Sequence, residues 1–274
     1  MTNPIERIDG NTFGRVYKTT IDGIVHFFPS VTNIISKKPN PKLIKMRKEM
    51  GDEKFELVRN RAARRGSVMH KWLEYFLEQV SEGRTPDQAI EFCQDNVHLC
   101  PEFEGWDKLY PKQLKMGMNL FYNFYNAGTW KEVKTLIASE VFMYTTFRGG
   151  WAGAADFIFL DKDDKLVLWD FKSASDMREE DEIESYYLQV ASYLFLLQEL
   201  CNSSKRNPLL PEGVQVDRGE ILMMNEKNDK VQRFMLPRCD MKKYLVEFIK
   251  YRAIFEEDSN WQAFLQPEKE SIFV

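Results

Sequence analysis

The sequence predicts an α/β protein in which a helical N-terminal part precedes a sheet that carries the chemistry. Three observations point there. After an opening hairpin, residues up to about 135 read as helices. From Leu136 onward strand-like runs take over, centred on GGWAGAADFIFLDKDDKLVLWDFK at 149–172, two strands around a tight polar turn. A strongly apolar helix, YYLQVASYLFLLQEL at 186–200, then separates that hairpin from a second strand pair.

The bulk numbers narrow the function classes. At 274 residues the chain is long enough to bury most of its apolar surface. Hydrophobic residues at 43% and charged residues at 29% describe an ordinary soluble globular protein. No apolar run reaches membrane-spanning length, so no transmembrane helix is expected. The segment MTNPIERIDGNTFG lacks an apolar stretch and carries acids, unlike a secretory signal or an Arg-rich transit peptide. Cys93, Cys100, Cys201 and Cys239 form no C-x-x-C and read as reduced thiols of a cytoplasmic protein. The net charge of −4 argues weakly against a nucleic-acid partner, but its distribution argues the other way. Residues 37–71 hold twelve Lys/Arg against four acids, a local +8 suited to a phosphate-tracking groove. A solvated helix laced with pairs such as Lys45–Glu49 would account for the run about as well.

In order, FGRVYKTTIDGIVHFF (13–28) reads as a hairpin turning at Asp22-Gly23. Ser30 is a plausible N-cap for a short helix, and Lys37-Lys38-Pro39-Asn40-Pro41 ends it. A polar helix follows over about 42–59. Val68, Trp72, Tyr75, Phe76 and Val80 then recur at helical spacing and form a buried face, with Gly66-Ser67 as a helix start or a close backbone approach. His70 lies one turn into that face, with Glu74 one turn further. Helices are expected over about 86–97 and 104–126, interrupted near Pro111, with Phe121, Tyr122, Phe124 and Tyr125 as core. IASEVFMYTT is a strand holding Glu140. After the buried helix and a polar loop, 215–224 and 230–236 are strands, and Pro237 starts a last helix to about 257. No linker divides the chain, so one domain over 1–274 is expected, with 1–135 mostly helical and 136–274 bearing the sheet.

The central hairpin carries the chemistry. If its turn is centred on Asp163, Asp156 and Asp170 face each other across the strands, with Cβ atoms roughly 4.5–5.5 Å apart. Lys172 falls on the face of Asp170, because side chains alternate. Leu166, Val167, Leu168 and Trp169 make the second strand apolar on both faces, so water would not solvate the acids well. Two buried carboxylates need a cation, and Mg²⁺ or Mn²⁺ is the natural one. Such an ion polarises a phosphoryl oxygen and activates water. Lys172 would stabilise charge on the phosphate or orient the water, Glu140 could be a third carboxylate, and His70 a nitrogen ligand favouring Mn²⁺. Taken singly, an Asp-x-Lys tripeptide, His70, or Gln189 with Tyr193 would be ordinary strand-end and packing residues.

Gly153-x-x-Asp156, Asp170-Phe171-Lys172 and Gln189-x-x-x-Tyr193 resemble the PD-(D/E)XK nuclease superfamily, and Arg65-Gly66-Ser67-x-x-His70 looks like its RecB-type branch. Pro29-Ser30-Val31-Thr32 after a hairpin is similar to mitochondrial genome-maintenance exonucleases and their phage relatives. The resemblance spans about 29–193. It implies a central mixed sheet flanked by helices, the restriction-endonuclease-like core, and two-metal hydrolysis of single-stranded or end-exposed DNA. His70, Asp156 and Asp170 become metal ligands, Lys172 the catalytic lysine, and Gln189 and Tyr193 active-site support or DNA contacts. Ala155 stands where the proline of the family's name would be. The cysteines do not fit the iron–sulfur pattern of many RecB-type relatives, so no cluster is expected, and Cys93, His98 and Cys100 lack a fourth zinc ligand.

The leading expectation is a DNA exonuclease in which Arg61, Arg64 and Arg65 hold phosphates and Trp72 or Trp151 stacks bases, although Trp72 fits a core position better. A structure-specific endonuclease and a catalytically silent binding protein of the same fold are the alternatives. A recombination, repair or DNA-degradation role in a bacterium or phage-infected cell fits better than a mitochondrial one.

Overall fold

The computed structural model describes residues 6–11, 14–203, 210 and 213–265. The start of the opening hairpin at Phe13 and most of the polar loop expected after the buried helix lie outside these residues. Strands β1 (Glu6–Asn11), β2 (Gly14–Ile21) and β3 (Ile24–Pro29) form a small antiparallel sheet, turning at Asp22-Gly23 as the sequence predicts. β1 is an addition to that expectation. Ser30 caps α1 (Val31–Ile35) by accepting from the Asn33 amide.

The polar helix expected over 42–59 is two helices. α2 (Pro41–Met50) ends at Gly51, whose φ of 82° no helix interior accommodates. α3 (Asp52–Ser81) then runs for 30 residues. Gly66-Ser67 is therefore not a helix start but lies inside α3, and a Cβ at Gly66 would make only an ordinary contact, 3.5 Å, with Ser173 Oγ. α4 (Pro86–Asn96) opens with a capping box between Thr85 and Gln88. α5 (Trp106–Leu109) and α6 (Pro111–Ala127) break at Pro111 as expected. α3 and α6 cross closely at Gly117, where a Cβ would sit 2.5 Å from Val68 Cβ and 2.7 Å from the Arg65 carbonyl. Backbone on one side leaves no room to yield. Gly117→Ala is expected to lower unfolding free energy by about 2–3 kcal/mol, measurable as a reduced urea midpoint at unchanged m-value.

The larger sheet follows. β4 (Val133–Thr145), β5 (Trp151–Asp161), β6 (Leu166–Ala174), β7 (Val216–Asn225) and β8 (Val231–Pro237) lie side by side in that order. Only β6 and β7 are parallel, so the sheet is mixed. α7 (Glu184–Asn202) is the crossover between them, and α8 (Arg238–Glu256) and α9 (Ser259–Leu265) close the chain. One apolar cluster joins the sheet to α1, α7 and α8, and a second joins its other face to α3, α4 and α6. Helices thus flank both faces, which is why β6 is apolar from Leu166 to Trp169. Glu220 on β7 is fully buried beneath Trp169, whose Nε1 donates to it at 2.9 Å. Burial would raise the Glu220 pKa, but Arg233 and Arg218 outweigh it and hold the carboxyl below the usual range.

Two adjacent strands turn over at one level. In β5, Phe157 packs on the α3 side, yet Ala155 packs on the α7 side. In β4, Ser139 reaches Glu78 on α3, yet Val141 packs with the α7-side cluster. Residues two apart on a regular strand share a face, so each strand flips between them. The residues at the flips are Asp156 and Glu140, which stand opposite each other in register between Ser139–Phe157 and Val141–Ala155. Glu140 has a φ of 45°, a left-handed conformation costing a β-strand residue about 1–2 kcal/mol.

Candidate metal centre and nuclease site

The hairpin register is the one a turn at Asp163 predicts. Phe157 pairs with Trp169, Ile158 with Leu168, Phe159 with Val167 and Leu160 with Leu166. Asp161 shapes the turn, its Oδ1 accepting from the Asp163 and Lys165 amides at 3.0 Å each. The ladder stops one step before Asp156 and Asp170. There the Phe171 amide donates to Asp156 Oδ2 at 2.7 Å, so a carboxylate replaces the next backbone partner. The acids lie where β5 and β6 part.

α3 runs past this opening with an i, i+4 row facing it. Gly66 lies against Ser173, His70 Nδ1 is 3.6 Å from Asp156 Oδ2, and Glu78 bonds Ser139. The His70 ring also meets Phe171 edge-on at 6.1 Å. His70, Glu140 and Asp156 each offer a ligand atom within 4.8 Å of the others. Asp170 stands beside this trio rather than in it. It is 1% exposed, its Oδ1 has no hydrogen-bond partner, and its Oδ2 lies 2.5 Å from Lys172 Nζ. Lys172 thus shares the face of Asp170, and its ammonium lies 5.4 Å over the Tyr186 ring.

The electrostatics describe a site short of positive charge. Burial pushes Glu140 up to about 8, helped by Asp156 and by Glu74. Burial pushes Asp170 up to about 6 against the pull of Lys172, with Asp156 adding to the rise. Burial pulls the Lys172 ammonium down, but Asp170 and Asp156 more than offset this and its net shift is upward. Imidazole and carboxylates together suit Mg²⁺ or Mn²⁺. A buried carboxylate oxygen with no donor, beside three converging ligand atoms, fits such an ion.

The residues read as DNA contacts divide. Arg61 is exposed on α3. Arg64 stacks on the Tyr110 ring at 3.8 Å, and Arg65 pairs with Glu226 near the end of β6. Gln189 and Tyr193 are buried at 9% and 5% exposure and bonded to each other at 3.1 Å. Burial of the Tyr193 phenol, with Asp170 adding, moves its pKa well upward, and its ring fills the space a Gly153 side chain would need. Trp72 and Trp151 are core residues, 6% and 0% exposed, so neither is available to stack bases. Cys93 and Cys100 are buried, and His98 Nδ1 lies 3.1 Å from the Gln94 carbonyl. In the basic segment, Lys45–Glu49 forms at 3.8 Å, and Arg47, Arg59, Lys37, Lys38 and Lys42 are also ion-paired. α2 nevertheless buries none of its residues. Glu74 and Lys71, 2.6 Å apart beside Glu140, belong to the surroundings of the site. The i+4 spacing of Glu74 from His70 was the signal for it.

A mixed sheet that opens at clustered acids beside a buried lysine is the frame of a nuclease. The sequence profile of the PD-(D/E)XK nuclease superfamily matches residues 44–265, and the chain belongs to that superfamily. A search of curated proteins found no sequence match. The crystal structure of SSO0001 is similar over 72% of this chain and 80% of its own, at 14% identity and a TM-score of 0.34. Among the described residues no helix is long and apolar enough to cross a membrane.

Proposed function

We propose that the protein is a divalent-metal-dependent deoxyribonuclease, a RecB-type exonuclease acting on single-stranded or end-exposed DNA through two metal ions. Similarity to genome-maintenance exonucleases of mitochondria and phages is part of this reading, as is one nuclease domain over 1–274. The observation that carries it is the convergence of His70, Glu140 and Asp156 at a strand opening that also holds Asp170 and Lys172. His70, Glu140, Asp156 and Asp170 would hold Mg²⁺ or Mn²⁺. When bound, the metal supplies Lewis acidity at the phosphoryl oxygen and lowers the pKa of water.

The chain's own residues do the rest. Phe171 N–H fixes the rotamer of Asp156, and the Lys172–Asp170 contact holds the ammonium at the acids, where charge on a phosphate would develop. Gln189 and Tyr193 wedge α7 against Gly153 and act as support. The arm of α2 and the start of α3, with Arg61 exposed, is the surface along which a strand would approach. The cell compartment that fits is the cytoplasm of a bacterium or phage-infected host, in recombination, repair or DNA degradation.

Linear and covalently closed circular single strands, incubated with Mn²⁺, test the reading. Degradation of the linear strand to short products with the circle intact is expected, and Asp156→Asn should abolish it. Cutting of the circle would make the protein an endonuclease. Binding without metal-dependent cutting would make it a silent member of the fold.

A further inference from the structure

The small N-terminal sheet reaches the site from outside the region the family profile matches, 44–265. Ser30, at the end of β3, bridges Ala152 at the start of β5. Ala152 adjoins Gly153, against which the Tyr193 ring lies. Arg15 on β2 is fixed to this junction through its carbonyl, which accepts from the Ser30 amide at 3.1 Å and from Asn33 Nδ2 at 2.6 Å. Its side chain shares a face of β2 with Tyr17. Tyr17 in turn packs on Phe142 of β4, ring centroids 5.6 Å apart, two residues from Glu140.

We propose that Arg15 is a substrate-contacting residue whose guanidinium clamps a backbone phosphate of the DNA strand beside the scissile one. Its Nε is buried and makes no hydrogen bond of its own, although the side chain is 37% exposed, the guanidinium meets the Tyr17 hydroxyl, and Asp9 pairs with it only at 3.5 Å while bonded to Arg7 at 2.6 Å. A buried N–H without an acceptor is costly, and a phosphate oxygen would satisfy it. The guanidinium fork matches phosphate geometry and stays charged at any working pH. The charge of Arg15 acts on both Glu140 and Tyr193, in keeping with a sheet that meets β5 at Ser30–Ala152 and β4 at Tyr17–Phe142. Lys172 is held by Asp170, so a neighbouring phosphate needs a second cation.

This proposal rests on the nuclease reading, and binding measurements separate the two. A fluorescein-labelled oligothymidylate is titrated by anisotropy with Asp170→Asn and with Asp170→Asn/Arg15→Ala protein in Mn²⁺ over a range of KCl. Loss of one phosphate contact lowers the slope of log K against log salt by about 0.7 and weakens binding by about tenfold. Arg15→Gln gives the same result should Arg15→Ala fold poorly, and Arg15→Lys returns part of the affinity. Single methylphosphonate substitutions then locate the phosphate: one position weakens binding to the Arg15 protein and is silent in Arg15→Ala. Equal slopes and equal methylphosphonate profiles overturn the proposal, whether or not the wild-type protein cuts DNA. Binding through Arg15 by a wild-type protein that leaves DNA uncut overturns the nuclease reading and supports this one.

Discussion

Lys172→Met is expected to slow single-strand cleavage by about 1,000-fold, with no recovery at saturating Mn²⁺. The ammonium sits 2.5 Å from Asp170 on a side chain that is 18% exposed. Its removal has two effects. Charge developing on the phosphate loses its fixed partner, and Asp170 loses the cation that restrains its upward shift. Asp170 would then hold a proton at neutral pH, which limits the folding penalty but removes a carboxylate from the site. Thermal denaturation should therefore show a small change while kcat collapses. Lys172→Arg should fare little better, because a planar fork does not occupy the space of a compact ammonium. Glu140→Gln provides the contrast: a weakened ligand set should raise the Mn²⁺ concentration needed for half-maximal rate, and excess metal should restore much of the activity.

Stripped of metal with EDTA, the protein should become less stable as pH rises from about 5 to 8. Glu140 is pushed up to about 8 and Asp170 to about 6, both above their values in an unfolded chain. Between the unfolded and folded pKa values the native state holds more protons than the unfolded state. Stability is then full below the unfolded pKa and is lost as pH climbs through the folded one. A tenfold rise in a carboxyl's proton affinity on folding is worth about 1.4 kcal/mol, so a screened remainder near ~1 kcal/mol should move Tm by roughly 2 °C. Mn²⁺ should reverse the trend, since it binds the ionised carboxylates and stabilises the fold by mass action. Scanning calorimetry at several pH values, with EDTA and with Mn²⁺, reads both slopes. Parallel slopes in the two conditions would remove these acids from the metal site.

The hairpin was legible because its information is local. Asp161 sets the turn by bonding two amides within four residues, and an apolar run such as Leu166–Trp169 admits only burial on both faces. The register follows from turn position alone, although the ladder ends at Phe157–Trp169, one step short of Asp156 and Asp170. What escaped the sequence depends on distant contacts. Gly51 divides a helix that charge patterning reads as continuous, the signal of its positive φ being the glycine itself amid helix-forming neighbours. Trp151 carries a stacking-competent side chain, but α8 and α7 enclose it through Phe248 and Phe195. Glu74 joins the acids only because α3 lies against β4. Arg15 belongs to a small sheet that meets β5 through the Ser30–Ala152 bridge, between residues over a hundred apart in the sequence. The double flip at Glu140 and Asp156 leaves a faint trace, a change of phase in the apolar alternation of both strands, visible only when their pairing is known.

That paired flip constrains how the chain can vary. Deleting one residue at position 140 would bring the halves of β4 back into phase but set them against β5. Val141 and Met143 would keep their side of the sheet, but each would fall one place out of register with β5. A matching deletion at 156 would restore the pairing and give an unbroken, unstrained ladder. Such a doubly shortened protein should fold at least as well as the natural one and bind no metal. The most regular sheet within reach of this sequence is therefore an inert one, and insertions or deletions in β4 and β5 can be tolerated by the fold only in pairs.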